Sequence, residues 1–231
     1  PIYIALRYLK GRKSGFLSFI SSLAFVSTSL GVAVLIIVSS VMNGFEKELK
    51  ERILNVIPHA SIYGLSPIQD WKQVELNLRE DKNIEGISPY IETEALIKSK
   101  SSVVGARING VDSKKDKSVS VINEFIELGN LSEIEQGDKI ILGYILARKL
   151  NVGLGDKVSL LLPDSNASFA GYFPKSKTFQ VGGIFNVGSK ELDEVLAYIS
   201  LENAASLTGL KDKIHGFRIK YENLFDAPYL V

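Results

Sequence analysis

FLSFISSLAFVSTSLGVAVLIIVSSV, residues 16–41, contains no charged residue, and the uncharged run extends from Ser14 to Phe45. An α-helix rises about 1.5 Å per residue, so roughly 20 apolar residues cross the ~30 Å of hydrocarbon in a bilayer. The stretch exceeds that requirement and reads as one membrane span. Arg7, Lys10, Arg12 and Lys13 precede it with no acidic residue among them, whereas Glu46-Lys-Glu-Leu-Lys-Glu-Arg opens the other side. The basic excess assigns residues 1–15 to the cytoplasm and the long remainder to the far side of the membrane. A cleaved secretory signal shares this order, but its apolar region is only about 7–15 residues. Ser21, Ser22, Ser27, Thr28 and Ser29 can close hydrogen bonds on backbone carbonyls or across to another helix, and Gly31 permits close approach. Such residues favour a helix that packs on other helices over a lone anchor.

Composition excludes several classes. With 27 basic and 26 acidic residues the net charge is +1, which provides no field for nucleic acid. The absence of cysteine rules out disulfides, thiolate metal sites and a cysteine nucleophile. The chain beyond the span is long enough for one sizeable core or two small subdomains.

After the span, only Gly44 weakens the helical pattern before Pro58 ends it. Phe45, Leu49, Ile53 and Val56 or Ile57 share one face, and Glu48 and Arg52 form an i, i+4 pair on another. The expected layout is a span over residues 16–43, a helical stalk over 44–58 and an α+β domain over 59–231. An amphipathic linker docked on the domain fits 44–58 equally well. Within the domain the patterns predict strands at Ala60–Tyr63, Ile87–Lys98, Val103–Val111, Ile140–Leu142, Lys157–Leu162, Thr178–Val187, Glu194–Ser200 and His215–Lys220. Helices are expected at Asp70–Arg79, Gly143–Leu150 and Leu201–Leu207, and an ambiguous short helix at Val119–Leu128. Asp112–Lys117 reads as a charged surface loop, and Asn151-Val-Gly-Leu-Gly-Asp as a turn whose glycines allow positive φ.

Few residues invite catalysis. His59 and His215 lack any metal-ligand spacing. Glu191, Asp193 and Glu194 have no nucleophile or oxyanion motif beside them, so a solvated turn or local salt bridges is the better reading. The glycine turn lacks the lysine and hydroxyl of a P-loop, so no ATP site and no cofactor are expected. The loop at 163–176 differs, because Phe169, Tyr172 and Phe173 stand there among Ser, Asn, Gly and Pro. Exposed aromatics on a projecting loop indicate a protein contact, and a lid folded back on the domain's own core is the equal alternative.

Leu6-Arg-Tyr-Leu-Lys-Gly-Arg, the span, Ser40-Val-Met-Asn-Gly-Phe-Glu-Lys-Glu-Leu and Pro58-His-Ala follow one another in an order that resembles the membrane subunits of the lipoprotein-releasing (Lol) ABC transporter, the LolC/LolE family. The resemblance continues through the stretch from Gly143 to Val158, then Gly171-Tyr-Phe-Pro-Lys-Ser-Lys-Thr-Phe and Val181-Gly-Gly-Ile-Phe-Asn-Val-Gly-Ser-Lys-Glu-Leu-Asp. The glycine turn alone is shared with the wider macrolide-exporter-like class. The resemblance implies a non-enzymatic bacterial inner-membrane protein with a macrolide-exporter-like periplasmic α+β domain of two subdomains. Its implied partners are two copies of a cytoplasmic ATPase, a second membrane subunit that is a homologue or the same chain, a periplasmic lipoprotein carrier, lipoprotein cargo and membrane lipids. Four membrane helices are usual in the family, so the chain reads as lacking three further spans.

The resemblance also assigns residues. The 163–176 loop aligns with the family's carrier-capturing hook through Gly171, Pro174 and Phe179, which places carrier contact on Phe169, Ala170, Gly171, Tyr172, Phe173 and Pro174. Ser168-Phe-Ala departs from the Thr-Pro-x element common there. Cargo acyl chains would meet Val38, Val41, Met42, Phe45 and Leu49, residues that serve equally for packing against other helices. Competing classes are a macrolide-exporter-type efflux subunit, an ABC-like signalling subunit that controls cell-wall hydrolases, and a single-pass anchored binding domain.

Overall fold

A computed structural model describes residues 3–4, 7, 15–49, 58, 60–81, 83–162 and 175–221, and the chain divides into two units, Pro1–Lys50 and Glu51–Val231. In the first unit Gly15–Leu49 is one α-helix, α1, of 35 residues. At 1.5 Å per residue it is about 52 Å long, well beyond the ~30 Å hydrocarbon thickness. Gly44 does not interrupt it. Phe19–Glu46 is long and apolar enough to cross a membrane, and its apolar side chains, Phe25, Leu35 and Val41 among them, are exposed. Thr28 Oγ1 donates to the Ala24 carbonyl at 2.9 Å, so this hydroxyl is satisfied within its own helix, as expected in hydrocarbon. Ile53, Val56 and Ile57, predicted to extend the helical face, lie outside the described residues.

The second unit comprises β1 (Ala60–Ile68), α2 (Trp71–Leu78), β2 (Ile84–Lys98), β3 (Val103–Val111), the single turn α3 (Ser113–Asp116), β4 (Ile126–Gly129), β5 (Lys139–Gly143), α4 (Tyr144–Leu150), β6 (Lys157–Leu162), β7 (Lys175–Phe185), α5 (Lys190–Val195), β8 (Leu196–Ser200), α6 (Leu201–Thr208) and β9 (Ile214–Tyr221). The strands form a nine-stranded sheet in the order β1-β9-β2-β3-β8-β5-β7-β4, and β6 pairs with both β2 and β7. Strands β2, β3, β8, β5, β7 and β6 therefore close into a ring. Closure requires the two long strands to change partners. One edge of β2 pairs with β9 from Ile84 to Tyr90 and with β6 from Leu96 to Lys98.

Side-chain alternation sorts the core into two clusters. Every ring strand sends residues to the larger one: Ile91 and Ile97, Ile108, Ala197 and Ile199, Ile140 and Leu142, Phe179 and Val181, Leu160 and Leu162. Leu146, Ala147 and Leu150 of α4 and Ala204 and Leu207 of α6 complete it. The intervening residues Ile141, Phe185, Leu196 and Tyr198 point the other way, into a smaller cluster with Val111, Ile122, Leu131 and Ile134. Strands buried on both faces read as continuous apolar runs, and β3 with β8 and β5 with β7 are the parallel pairs of the sheet. The two subdomains expected from the sequence are thus two clusters of one continuous sheet. Gly110 is where α6 meets β3: an added Cβ would lie 2.1 Å from the Ala204 Cβ.

Several local expectations are corrected. Asp112–Lys117 is not a charged surface loop: Asp112 accepts from the Lys114 and Lys115 N–H groups and caps α3, whose Ser113 and Asp116 are buried. Val119–Leu128 divides into a 3₁₀ turn, Ile122–Phe125, and β4, because Leu128 and Gly129 pair with β7. Residues 190–195 form α5 rather than leading directly into a strand. In the 151–156 turn, Asn151 itself takes φ 53° as it ends α4, while Gly155 supplies the second positive φ at 87°.

Two buried charge clusters were not visible in the sequence. Arg218 of β9 donates to Asn109 Oδ1 at 2.5 Å, pairs with Asp116 Oδ1 at 3.4 Å and lies 5.2 Å from the Tyr90 ring centroid. Burial raises the Asp116 carboxyl above its ordinary pKa despite that arginine, and it pushes the Tyr198 phenol up to about 12. Glu75 is held by Lys115 at 2.6 Å and Arg79 at 2.8 Å. Burial pushes the Glu75 carboxyl up, but the hydrogen bonds and charges of Lys115 and Arg79 outweigh it and leave the pKa below 4.5.

Removing one partner of a buried ion pair strands the other, so Arg218→Met should cost about 3–5 kcal/mol. The double variant Asp116→Leu/Arg218→Met should recover most of that loss, as read by denaturant unfolding in detergent. Because the Glu75 pKa is depressed on folding, its stabilisation is present above pH 4.5 and lost as pH falls through the folded value. Glu75→Gln should therefore flatten the acid limb of a thermal-stability profile below pH 4.5.

Candidate functional site

Strands β6 and β7 are antiparallel neighbours with an unbroken register from Lys157↔Gln180 to Leu162↔Lys175. The aromatic segment begins and ends at that last pair, so it is the connection of a hairpin. Lys175 and Ser176 pair with Leu162 and Leu161, which shortens the expected loop at 163–176 to residues 163–174. Its base is well anchored. Val158, Leu160, Leu162 and Phe179 are buried in the larger cluster, Leu161 pairs with Leu96 of β2, and the Ser159 and Thr178 hydroxyls lie 3.2 Å apart across the strands. Phe169, Ala170, Gly171, Tyr172, Phe173 and Pro174, the expected carrier contacts, lie outside the described residues. What the structure supplies is their point of departure.

The second set of residues lies on α1. Val38, Val41, Met42 and Phe45 stand at i, i+3, i+4 and i+7 of one unbroken helix, which places them on one face, and Leu49 is the last residue of that helix. Val38, Val41, Met42 and Phe45 are exposed there, at 59–67%. By helical projection Ser22, Ser29 and Ser40 fall opposite that face, Ser21, Thr28 and Ser39 lie roughly a quarter turn away from it, and Ser27 lies on it. A shallow groove on the helix is lined by Phe25, Thr28, Ser29, Val32, Ala33 and Ile36, where the small Ser29 and Ala33 would let a second helix approach.

The residues weighed for catalysis have structural roles. Asp193 is buried, and its carboxylate accepts from the backbone N–H groups of Val187 at 2.9 Å and Gly188 at 3.0 Å. Burial raises its pKa against those hydrogen bonds. It folds the turn between β7 and α5, so the solvated-turn reading fails for this residue. Glu194 pairs with Lys149, and Glu191 accepts from the Ser189 hydroxyl. The Asp193 carbonyl also explains Gly143, where an added Cβ would stand 2.3 Å from that oxygen. His215 Nδ1 accepts from the Glu92 backbone N–H at 3.1 Å, and His59 lies outside the described residues. Among the described residues no group of three or more His, Asp or Glu is placed to hold a metal ion.

Residues 21–224 match the family model of the MacB-like periplasmic core domain. The lipoprotein-releasing system transmembrane protein LolC of Neisseria meningitidis serogroup B is 34% identical over 99% of this chain and 56% of its own length. The corresponding LolE of Haemophilus influenzae is 32% identical over 100% of this chain and 57% of its own. The chain thus spans little more than half the length of these relatives. The crystal structure of the periplasmic region of MacB from Actinobacillus actinomycetemcomitans aligns with a TM-score of 0.46 and 12% identity, over 70% of this chain and 67% of that one. Because that family model matches nearly the whole of the chain, the chain belongs to the MacB-like periplasmic core domain family.

Proposed function

We propose that this chain acts as a membrane subunit of an ABC transporter that extracts lipoproteins from the outer leaflet of the bacterial inner membrane and passes them to a periplasmic carrier. The observation that carries the reading is the 34% identity to a lipoprotein-releasing transmembrane protein sustained over 99% of the chain. In this reading residues 1–15 are cytoplasmic, 16–43 span the membrane, 44–58 form a stalk and 59–231 are periplasmic. ATP hydrolysis belongs to separate cytoplasmic subunits, two copies of which work with this chain and a second membrane subunit. Within the family's division of labour, the aromatic residues of the 163–174 connection support a hook-bearing subunit of the LolC type or a combined LolF-like subunit that serves both roles.

The chemistry of the two sites supports these roles. A hairpin whose base is buried in the core offers a rigid platform for aromatic side chains, and aromatics are the residues that anchor protein interfaces. The apolar face of α1 at Val38, Val41, Met42, Phe45 and Leu49 suits acyl chains. Met42 adds an unbranched, polarizable side chain that adapts to varied apolar surfaces.

Photocrosslinking in cells from Phe169 and Tyr172, with mass spectrometry of the adducts, tests the reading. Capture of a small soluble periplasmic lipoprotein carrier supports it. Capture of an efflux adaptor or a cell-wall hydrolase assigns the chain to another transporter-like class, and no adduct removes the segment from any interface. Phe169→Ala or Phe173→Ala should weaken carrier binding by about 2 kcal/mol, roughly 30-fold in Kd, as expected for loss of an aromatic anchor. Unchanged affinity in both variants, measured by calorimetry, rejects the assignment of this segment.

A further inference from the structure

The turn that opens α2, the start of α6, the turn before β9 and the side chains of Asp112 and Glu135 border an open groove of about 1240 Å³. Pockets for small molecules occupy roughly 300–1,000 Å³, so this groove has room for a longer ligand. Trp71 lines it, half-buried and packed on the larger cluster. Its ring already attracts ammonium groups, since Lys72 Nζ and Lys115 Nζ lie 5.8 and 5.2 Å from its centroid.

The charges along the groove are unpaired. The carboxylates of Asp70, Asp112, Glu135, Glu202 and Asp212 outnumber the ammonium groups of Lys72, Lys211 and Lys213, and none of these groups enters an ion pair among the described residues. Carboxylates elsewhere in the same unit are paired, Glu75, Glu92, Asp138 and Glu194 among them. Among the described residues the groove's carboxylates are also dispersed, because no three of them are placed to hold one metal ion. A calcium ion needs six to eight converging oxygens, whereas dispersed carboxylates in excess complement a chain that carries several positive charges.

Two of the carboxylates are fixed before any ligand arrives. Asp112 Oδ1 accepts from the Lys114 and Lys115 N–H groups at 2.9 and 3.2 Å, and Glu135 Oε1 accepts from the Ser113 N–H at 2.8 Å. Both are thereby held on the start of α3, and each keeps a second oxygen. The rim is strained as well. Asp70 has φ 47° and Lys211 φ 53°, and with Asn151 these are the non-glycine residues of positive φ among the described ones. Such backbone is costly for a residue with a side chain, and it collects at ligand sites.

We propose that this groove docks a lysine- or arginine-rich segment of another polypeptide, with its positive charges on the dispersed carboxylates and one of them against Trp71. The ammonium groups of Lys72, Lys211 and Lys213 then select the register, because a segment that places positive charges beside them is repelled. Docking here requires nothing of the carrier contact proposed above.

Trp71 is the only tryptophan of the chain, so a ligand that enters the groove alters the single indole emission. The probe is a short peptide of alternating lysine and serine, titrated against the full chain in detergent at low ionic strength, with a glutamate–serine peptide of equal length as its counterpart. The net charge of +1 means that the whole chain does not draw a polycation. The expected result is a saturable change in emission with the lysine peptide and none with the glutamate peptide. Its Kd should rise roughly tenfold in Glu202→Gln/Asp212→Asn, the scale of losing two exposed ion pairs, and stay unchanged in Glu80→Gln/Glu94→Gln, exposed carboxylates outside the groove. No response to the lysine peptide, an unchanged affinity in the groove variant, an equal loss in the control variant, or preference for the glutamate peptide overturns the docking site. Emission that changes with protein concentration alone assigns the groove to a second copy of the chain and also overturns it.

Discussion

Closure of the strand ring rests on two strands that each serve two neighbours in succession along one edge. β2 pairs with β9 and then with β6, and β7 pairs with β6 and then with β4. A strand at the edge of a sheet exposes a row of unpaired backbone groups, and the changeover allows β6 to cover parts of both long strands. The larger hydrophobic cluster forms because the ring brings the alternate residues of six strands to one place. The position of the hairpin follows from the same constraint. β6 is fixed on both sides over Ser159–Leu161, so the connection that follows it starts from an anchored strand.

Polar side chains supply what the hydrophobic clusters do not. Burial of apolar area is non-directional, whereas a buried arginine with defined acceptors fixes which segments meet. Arg218 joins β9 to β3 and α3 through Asn109 and Asp116. Glu75 joins α2 to α3 through Lys115, whose ammonium also lies 5.2 Å from the Trp71 ring centroid. Lys177 joins β7 to α6 and to the Gly137–Asp138 turn through Asn203 and Asp138. These links connect residues far apart in sequence, at places where strand pairing ends.

Much of the fold was legible. The β2–β3 hairpin, α2, α4, α6 and the buried β5 were each predicted from periodicity and turn residues within a residue or a few of their observed limits. Long periodic segments carry their own signal. Asp112–Lys117 was misread because a run of charges looks solvated, and nothing local reveals that Asp116 meets Arg218 across the fold. Asp193 was misread for the same reason, since its acceptors are backbone groups of a turn that exists only once β7 and α5 are placed. For the candidate site, the aromatics of 163–174 and the apolar face of α1 were visible as residue types. The structural link from Lys177 to Asn203 and Asp138 was not visible, since a lone lysine between Ser176 and Thr178 is indistinguishable from a solvated strand residue.

The sequence by itself determined a helix long and apolar enough to cross a membrane and, through its flanking charges, the orientation expected of it. Each of these depends on local composition and a 3.6-residue period, and the bilayer acts on every helix by the same rule. Only the tertiary structure decided that the strands close into a ring, that two apolar clusters share one sheet, and that the aromatic segment is the connection between the paired strands β6 and β7. Those features depend on which distant residues pair. Strand register and ion pairing between segments tens of residues apart are fixed by the simultaneous satisfaction of burial and hydrogen bonding, which no local window contains.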